Sequence, residues 1–226
     1  EGREAQWQTE RESFALERTA SQQGFTRIAG VDEAGRGPLA GPIVAAAVVL
    51  EHPLKELNDS KQLSVQQREA LFALLEAGGH AIGVAVVSAE EIDAMGIQPA
   101  NYAAMARAVQ QLTPAPAYLL VDGFEIRGCP LPQCWIVKGD CRSQSIAAAS
   151  IVAKVTRDRL MDELDQEFPQ YGFVRHKGYG TAEHLAAIER YGPCPQHRRS
   201  FAPFARALET ATLFSELEKE SHSCAR

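Results

Sequence analysis

A chain of 226 residues with 45% apolar and 23% charged side chains is long enough for one sizeable core. No apolar run approaches the roughly 20 residues a membrane helix needs, and the charged start E-G-R-E-A-Q-W-Q lacks the apolar centre of a signal peptide. A net charge of −6 argues against a protein that coats nucleic acid nonspecifically. The first residue is Glu rather than Met, as in a fragment or a processed form. Five cysteines at no zinc-like spacing fit a reduced, cytoplasmic setting without a membrane.

In chain order, residues 1–24 form a polar, helix-prone extension anchored by Trp7, Phe14 and Leu16. A first strand over 28–33 runs through P-L-A-G-P into a second over 43–50, continuously apolar as in a strand covered on both faces. After the polar loop L-N-D-S-K-Q-L-S, Ser64 and Gln67 form a capping box that opens a helix ending at Gly78-Gly79. A third strand spans 81–87. A second capping box, Ser88 with Glu91, starts a short helix to about Gly96, and another helix covers roughly 99–112, stopped by Pro114 and Pro116. Strand four over 118–121 ends on Asp122-Gly123, and strand five covers 135–137. The longest helix is expected from about Cys141 to Phe168, stopped by Pro169. A Gly-, Tyr- and base-rich loop over 172–180, a helix over 181–191 and a last helix over 203–219 complete the chain. The order β-β-α-β-α-α-β-β-α predicts a mixed α/β sheet. One domain is expected over 25–208, with a flexible acidic tail over 209–226.

The chemistry centres on I-A-G-V-D-E-A-G-R-G-P-L-A-G at 28–41, where an apolar run carries Asp32 and Glu33 into the glycine loop Gly35-Arg36-Gly37. Adjacent strand residues point to opposite faces, so two neighbouring acids both stay polar only at a strand end, at a bulge or around a metal. A hard cation such as Mg2+ would supply the reason; a strand running into a polar turn is the ordinary alternative. Asp122 closes another apolar strand, the position at which ligands gather in open α/β sheets. Asp140 opens the long helix and is equally placed to be an N-cap. Asp158, in mid-helix, is expected to be at the surface or salt-bridged. Asp32, Glu33, Asp122 and Asp140 at one sheet edge could not all ionise without cations. Two Mg2+ or Mn2+ ions about 4 Å apart would build an in-line phosphoryl-transfer site. No phosphate-binding G-x-x-x-x-G-K-[ST], G-x-S-x-G elbow or H-E-x-x-H offers a rival chemistry. Between 173 and 206, six Lys/Arg stand against two acids, a basic segment in an acidic chain that is either a phosphate-facing surface or a solvated face.

Taken in order, V-D-E-A-G-R-G-P-L-A-G, N-D-S-K-Q-L-S, V-D-G, V-K-G-D, S-I-A-A-A-S-I-V-A-K-V-T-R-D, F-P-Q-Y-G-F-x-x-H-K-G-Y-G-T and H-R-R-S-F make the chain resemble bacterial type 2 ribonuclease H, ribonuclease HII, from about 28 to 204. The resemblance implies a ribonuclease-H-like, five-stranded mixed sheet flanked by helices, with a helical C-terminal part. It implies cleavage of the RNA strand in RNA–DNA hybrids and nicking 5′ to single ribonucleotides in duplex DNA, by a metal-dependent enzyme expected as a monomer. The family's four acids fall on Asp32, Glu33, Asp122 and Asp140. Its glycine loop falls on Gly35, Arg36 and Gly37, where bare backbone can approach a minor groove displaying a 2′-hydroxyl. Its sugar-stacking tyrosine falls on Tyr179. Lys61 and Lys177 are candidate phosphate contacts. Arg198 and Arg199 are candidates either for holding duplex backbone or for tying down the C-terminal helix. A noncatalytic hybrid-binding module and a general two-metal nuclease or phosphatase are the competing readings. The four-acid set opposes the first, and the glycine loop with Tyr179 opposes the second.

Overall fold

The computed structural model describes residues 14–57 and 63–204. Trp7, Lys61, the acidic tail and nearly all of the last expected helix lie outside the described residues. The elements in order are α1 (Ala15–Gln22), β1 (Ile28–Ala34), β2 (Ile43–Val49), α2 (Val65–Ala77), β3 (Ala81–Val87), α3 (Ala89–Met95), α4 (Ile97–Gln110), β4 (Tyr118–Asp122), β5 (Gln133–Ile136), α5 (Gln144–Glu167), α6 (Phe173–His176) and α7 (Ala182–Tyr191). No described helix is long and apolar enough to cross a membrane.

The five strands form one mixed sheet in the order β3-β2-β1-β4-β5. The β1–β2 and β2–β3 pairs are antiparallel; β1–β4 and β4–β5 are parallel. β1 is therefore central. Its C-terminal end lies beside that of β4, with Val31 in register with Val121. Alternation along the strands divides the core. Ala29, Val31, Ala45, Ala47, Leu119 and Val121 pack against Ala100, Ala104, Met105 and Ala108 of α4. Ala46 and Val48 pack on the other face against α2 and the Ala147–Val155 part of α5.

Both expected capping boxes are present, Ser64 with Gln67 and Ser88 with Glu91. The start of the long helix is not where the sequence suggests. Gly139–Cys141 forms a separate 3-10 turn, and the cap of α5 is Ser143, whose hydroxyl accepts the Ile146 N–H. Asp140 therefore does not cap α5. The loop expected over 172–180 contains the single helical turn α6.

The α5 helix lies unusually close to the sheet because Gly30 has no side chain. A Cβ there would collide with the backbone of Ser145 and Ile146. Neither the central strand nor a 24-residue helix can give way locally, so Gly30→Ala is overpacking of the severe kind. It is expected to cost about 3 kcal/mol or more, measured as a lower urea midpoint. An unchanged midpoint would show that α5 can slide.

Candidate active site

Period-2 alternation sends Asp32 to the α5 side of β1 and Glu33 to the α4 side. Asp32 is almost fully buried, and Ser150 of α5 lies near enough to favour its charge. Its Oδ1 also accepts the Glu33 N–H at 2.7 Å. Burial, followed by repulsion from Glu33 and Asp122, pushes the Asp32 carboxyl well above the usual carboxylate range. Glu33 is also raised by burial; the neighbouring Arg36 guanidinium pulls it back down, and Asp122 pushes it further up. The Arg36 Nη1 lies 3.4 Å from Glu33 Oε1. That guanidinium is itself held by Gln98 at 2.9 Å and by the ring of Phe124. The second Glu33 oxygen is buried and has no hydrogen-bond partner. Asn101 of α4, fully buried beside it, favours the Glu33 charge without completing a well-formed hydrogen bond.

Asp122 closes β4 on the same face as Asp32. Its Oδ1 accepts the Gly139 N–H at 2.6 Å, so the turn carrying Asp140 is tied directly to the strand end. Asp32, Glu33 and Asp122 thus stand together where β1 and β4 end, close enough to repel one another, and Asp140 is the residue after Gly139 on the turn tied to Asp122. Among the described residues no three His, Cys, Asp or Glu side chains close up as a ready-made cage around one ion. Uncompensated carboxylates repel each other, and Mg2+ needs only one or two of them with water in its remaining positions. A buried, unpartnered Glu33 oxygen and a strongly raised Asp32 are what a hard divalent cation would relieve, so the residues present fit one.

The glycine loop meets this edge from the β1–β2 connection. Gly35 has a φ of +99°, and a Cβ there would run into Arg157. Gly37 differs: it is exposed, and its Cβ would meet only the Tyr179 ring, at an ordinary 3.6 Å. The half-exposed Tyr179 ring stands over an open groove of about 340 Å3 lined by Glu33, Gly35, Arg36, Gly37, Ser150 and Lys154.

Two buried arginines hold these loops. Arg198, fully buried, donates to the carbonyls of Gly35, Arg36 and Gly41. Arg157 donates to those of Ala40, Pro42 and Lys177. Arg198 therefore does not reach a duplex; it is an internal stitch, and burial beside Arg157 lowers it to about 9. Lys177 is half-buried and turns its ammonium to Asp162, so the groove's lysine is Lys154, ion-paired with Asp158. Arg199 is exposed, with its backbone N–H on Asp93. Lys61 is outside the described residues. The sequence reading missed Gln98, Asn101, Ser150, Lys154 and Arg157. Ser150 and Lys154 are one helical turn apart, a spacing that could have marked them as facing together.

Beneath Tyr179 lies a histidine chain. The Tyr179 carbonyl can only accept, so His184 donates to it from Nδ1 at 2.9 Å. His184 Nε2 then accepts from His197 Nε2 at 3.0 Å, leaving His197 Nδ1 to accept the Cys194 N–H at 3.0 Å. Burial, with His184, Arg199 and His176 nearby, lowers His197 from 6.5 to about 4.

A family model described as Ribonuclease HII matches residues 29–204. A ribonuclease HII of Geobacillus kaustophilus is 56% identical over 210 residues, covering 92% of this chain and 79% of the relative. One of Geobacter metallireducens is 55% identical over 194 residues, covering 85% and 91%. Among solved structures, ribonuclease H2 from Pyrococcus horikoshii OT3 superposes with a TM-score of 0.69 at 29% identity, covering 82% of this chain and 98% of that one.

Two measurements check the electrostatics. Asp32→Asn keeps an acceptor for the Glu33 N–H and removes a charge whose ionised form burial disfavours. In chelator at pH 7 the variant should melt higher, by roughly 2–4 °C if about 1 kcal/mol is relieved in a chain of this size. Mg2+ should raise the wild-type midpoint more than the variant's; equal midpoints in chelator would refute the burial argument. The second concerns acid. With the folded His197 near 4 and its ordinary value at 6.5, the unfolded chain binds more protons between those limits. This contribution is whole above pH 6.5 and falls as pH drops, by about 2 kcal/mol on reaching pH 5. The raised Asp32 and Glu33 act in the opposite sense and the lowered His184 in the same sense, so the contribution is read as the difference between wild type and His197→Gln in urea unfolding at pH 7 and pH 5. An equal change with pH in the two proteins would rule out a buried neutral His197.

Proposed function

Because the chain belongs to the ribonuclease HII family and is a phosphodiester-hydrolysing endonuclease of the ribonuclease H kind, we propose that it cuts the RNA strand of RNA–DNA hybrids. We further propose that it nicks duplex DNA 5′ to a single embedded ribonucleotide. In that reaction water adds to phosphorus, the bond to the preceding nucleotide's O3′ breaks, and the ends are a 3′-hydroxyl and a 5′-phosphate. The carrying observation is that Glu33, one member of the charge-strained acidic edge, lines the same groove as the exposed Gly37 and the ring of Tyr179.

Asp32, Glu33, Asp122 and Asp140 are the residues that would hold two Mg2+ or Mn2+ ions. When bound, such ions neutralise the carboxylates and activate water and leaving group for in-line displacement. Asp32 and Asp122 face the same side and offer their oxygens together. Glu33 offers the oxygen that has no protein partner, while Arg36 fixes the other. Gly35, Arg36 and Gly37 present backbone to the minor groove, and Arg198 and Arg157 keep that backbone rigid before the duplex arrives. The Tyr179 ring stacks on the deoxyribose that follows the ribonucleotide and disfavours a second 2′-hydroxyl there. Lys154 is the groove's cation for a phosphate.

The decisive assay is cleavage of a duplex carrying one ribonucleotide, beside an all-DNA duplex, with Mg2+, Mn2+ or chelator. Asp122→Asn should lose at least about 100-fold in rate. Gly37→Ala should unfold within about 0.5 kcal/mol of wild type, since its Cβ meets no obstacle, yet cleave markedly more slowly because the methyl meets the duplex. Equal cutting of all-DNA duplex would favour a general nuclease. Binding without any cut, in either metal, would favour a noncatalytic module.

A further inference from the structure

The N-terminal helix α1 precedes the segment that the family model matches, yet it carries a side chain built into the site's foundations. Glu17 is only 3% exposed. Its Oε1 accepts the Ser143 hydroxyl at 2.6 Å and the Ser145 backbone N–H at 2.9 Å. Ser143 caps α5 and Ser145 lies in its first turn, so a carboxylate from α1 sits where the helix dipole is positive. Its acceptor also fixes the Ser143 hydroxyl so that a lone pair faces the Ile146 N–H, 3.1 Å away.

From Ser143 the hydrogen bonds lead straight to the acidic edge. The Ser143 and Arg142 N–H groups both donate to the Gly139 carbonyl at 2.8 Å. The Gly139 N–H donates to Asp122 Oδ1 at 2.6 Å, and Asp140 is the next residue. Gly139 itself is wedged: a Cβ there would press on Ile146 at 2.6 Å and on Asp122 Oδ1 at 3.3 Å. A shift of the α5 start would therefore carry Gly139, and with it the orientation of Asp122 and the turn bearing Asp140.

We propose that Glu17 is a positioning residue for the acidic edge, clamping Ser143 so that Gly139 holds Asp122 and Asp140 in register. This rests on the reading of those acids as metal ligands. The second Glu17 oxygen is buried and without a hydrogen-bond partner, so what the site uses is one oxygen as an acceptor. An amide can replace that function; a methyl cannot.

The test is Mn2+ binding to the full chain, followed by electron paramagnetic resonance, together with kcat and KM for the ribonucleotide-containing duplex at limiting and saturating Mg2+. Loss of groups that orient metal ligands typically costs 10- to 100-fold in affinity. Glu17 acts one step further out, so Glu17→Ala should weaken Mn2+ binding about 3- to 10-fold and leave the duplex KM unchanged. Glu17→Gln should restore most of the affinity. Ser143→Ala breaks the clamp from the other side and should reproduce the loss, which keeps the proposal testable if Glu17→Ala does not fold. Ser64→Ala removes the cap of α2, remote from this chain of bonds, and should lower the melting temperature without moving Mn2+ affinity. Wild-type affinity in folded Glu17→Ala or Ser143→Ala, or an equal loss in Ser64→Ala, would overturn the proposal. Wild-type Mn2+ affinity in Asp122→Asn would instead overturn the metal-ligand reading itself.

Discussion

The contact on which the rest of the structure depends is the one made possible by the missing side chain of Gly30. With no Cβ in the way, the start of α5 rests directly on the central strand. Everything along one side of that helix is then aimed at the site. Ser143 holds the turn that bears Asp140, Ser150 lies beside Asp32, Lys154 enters the groove and Arg157 passes beneath the glycine loop. The small residues at the start of α5 serve the same close approach, since Ala147, Ala148 and Ala149 are all buried against the sheet. Stability and site geometry are set by the same seam.

The charges form two layers. On the sheet edge, carboxylates are gathered at an electrostatic cost that a cation removes. Behind the glycine loop, Arg157 and Arg198 are buried among carbonyls rather than carboxylates. A guanidinium with its five fixed donors suits that task. Each arginine satisfies several carbonyls in a loop that has no ladder of its own, turning an irregular segment into a rigid surface.

The sheet was legible because its signals are local. The apolar run of β2, the two capping boxes and the strand-ending acids are written in adjacent residues, and all described strands lie close to where periodicity puts them. Asp32, Glu33 and Asp122 could be chosen from strand-end position and Asp140 from its place ahead of the long helix, whereas the distribution of the strand acids over two faces needed the alternation to be anchored by real packing partners. What stayed hidden depends on distant partners. Nothing in H-R-R-S-F distinguishes Arg198, buried on loop carbonyls, from the exposed Arg199 beside it. Nothing near Lys177 tells that Asp162 claims its ammonium. The start of α5 was misplaced because Asp140 and Ser143 are both good caps, and only the 3-10 turn between them decides.

The histidine chain limits which side chains can stand at its centre. His184 must give a proton at one ring nitrogen, to the Tyr179 carbonyl, and receive one at the other, from His197. Asparagine can imitate the nearer nitrogen and glutamine the farther one, but neither spans both ends with opposite polarity. The ring works as a rigid two-ended adaptor between the loop that presents Tyr179 and the segment that carries Arg198. Sequence drift at this position is therefore closed off by geometry, even though the imidazole itself never meets a substrate.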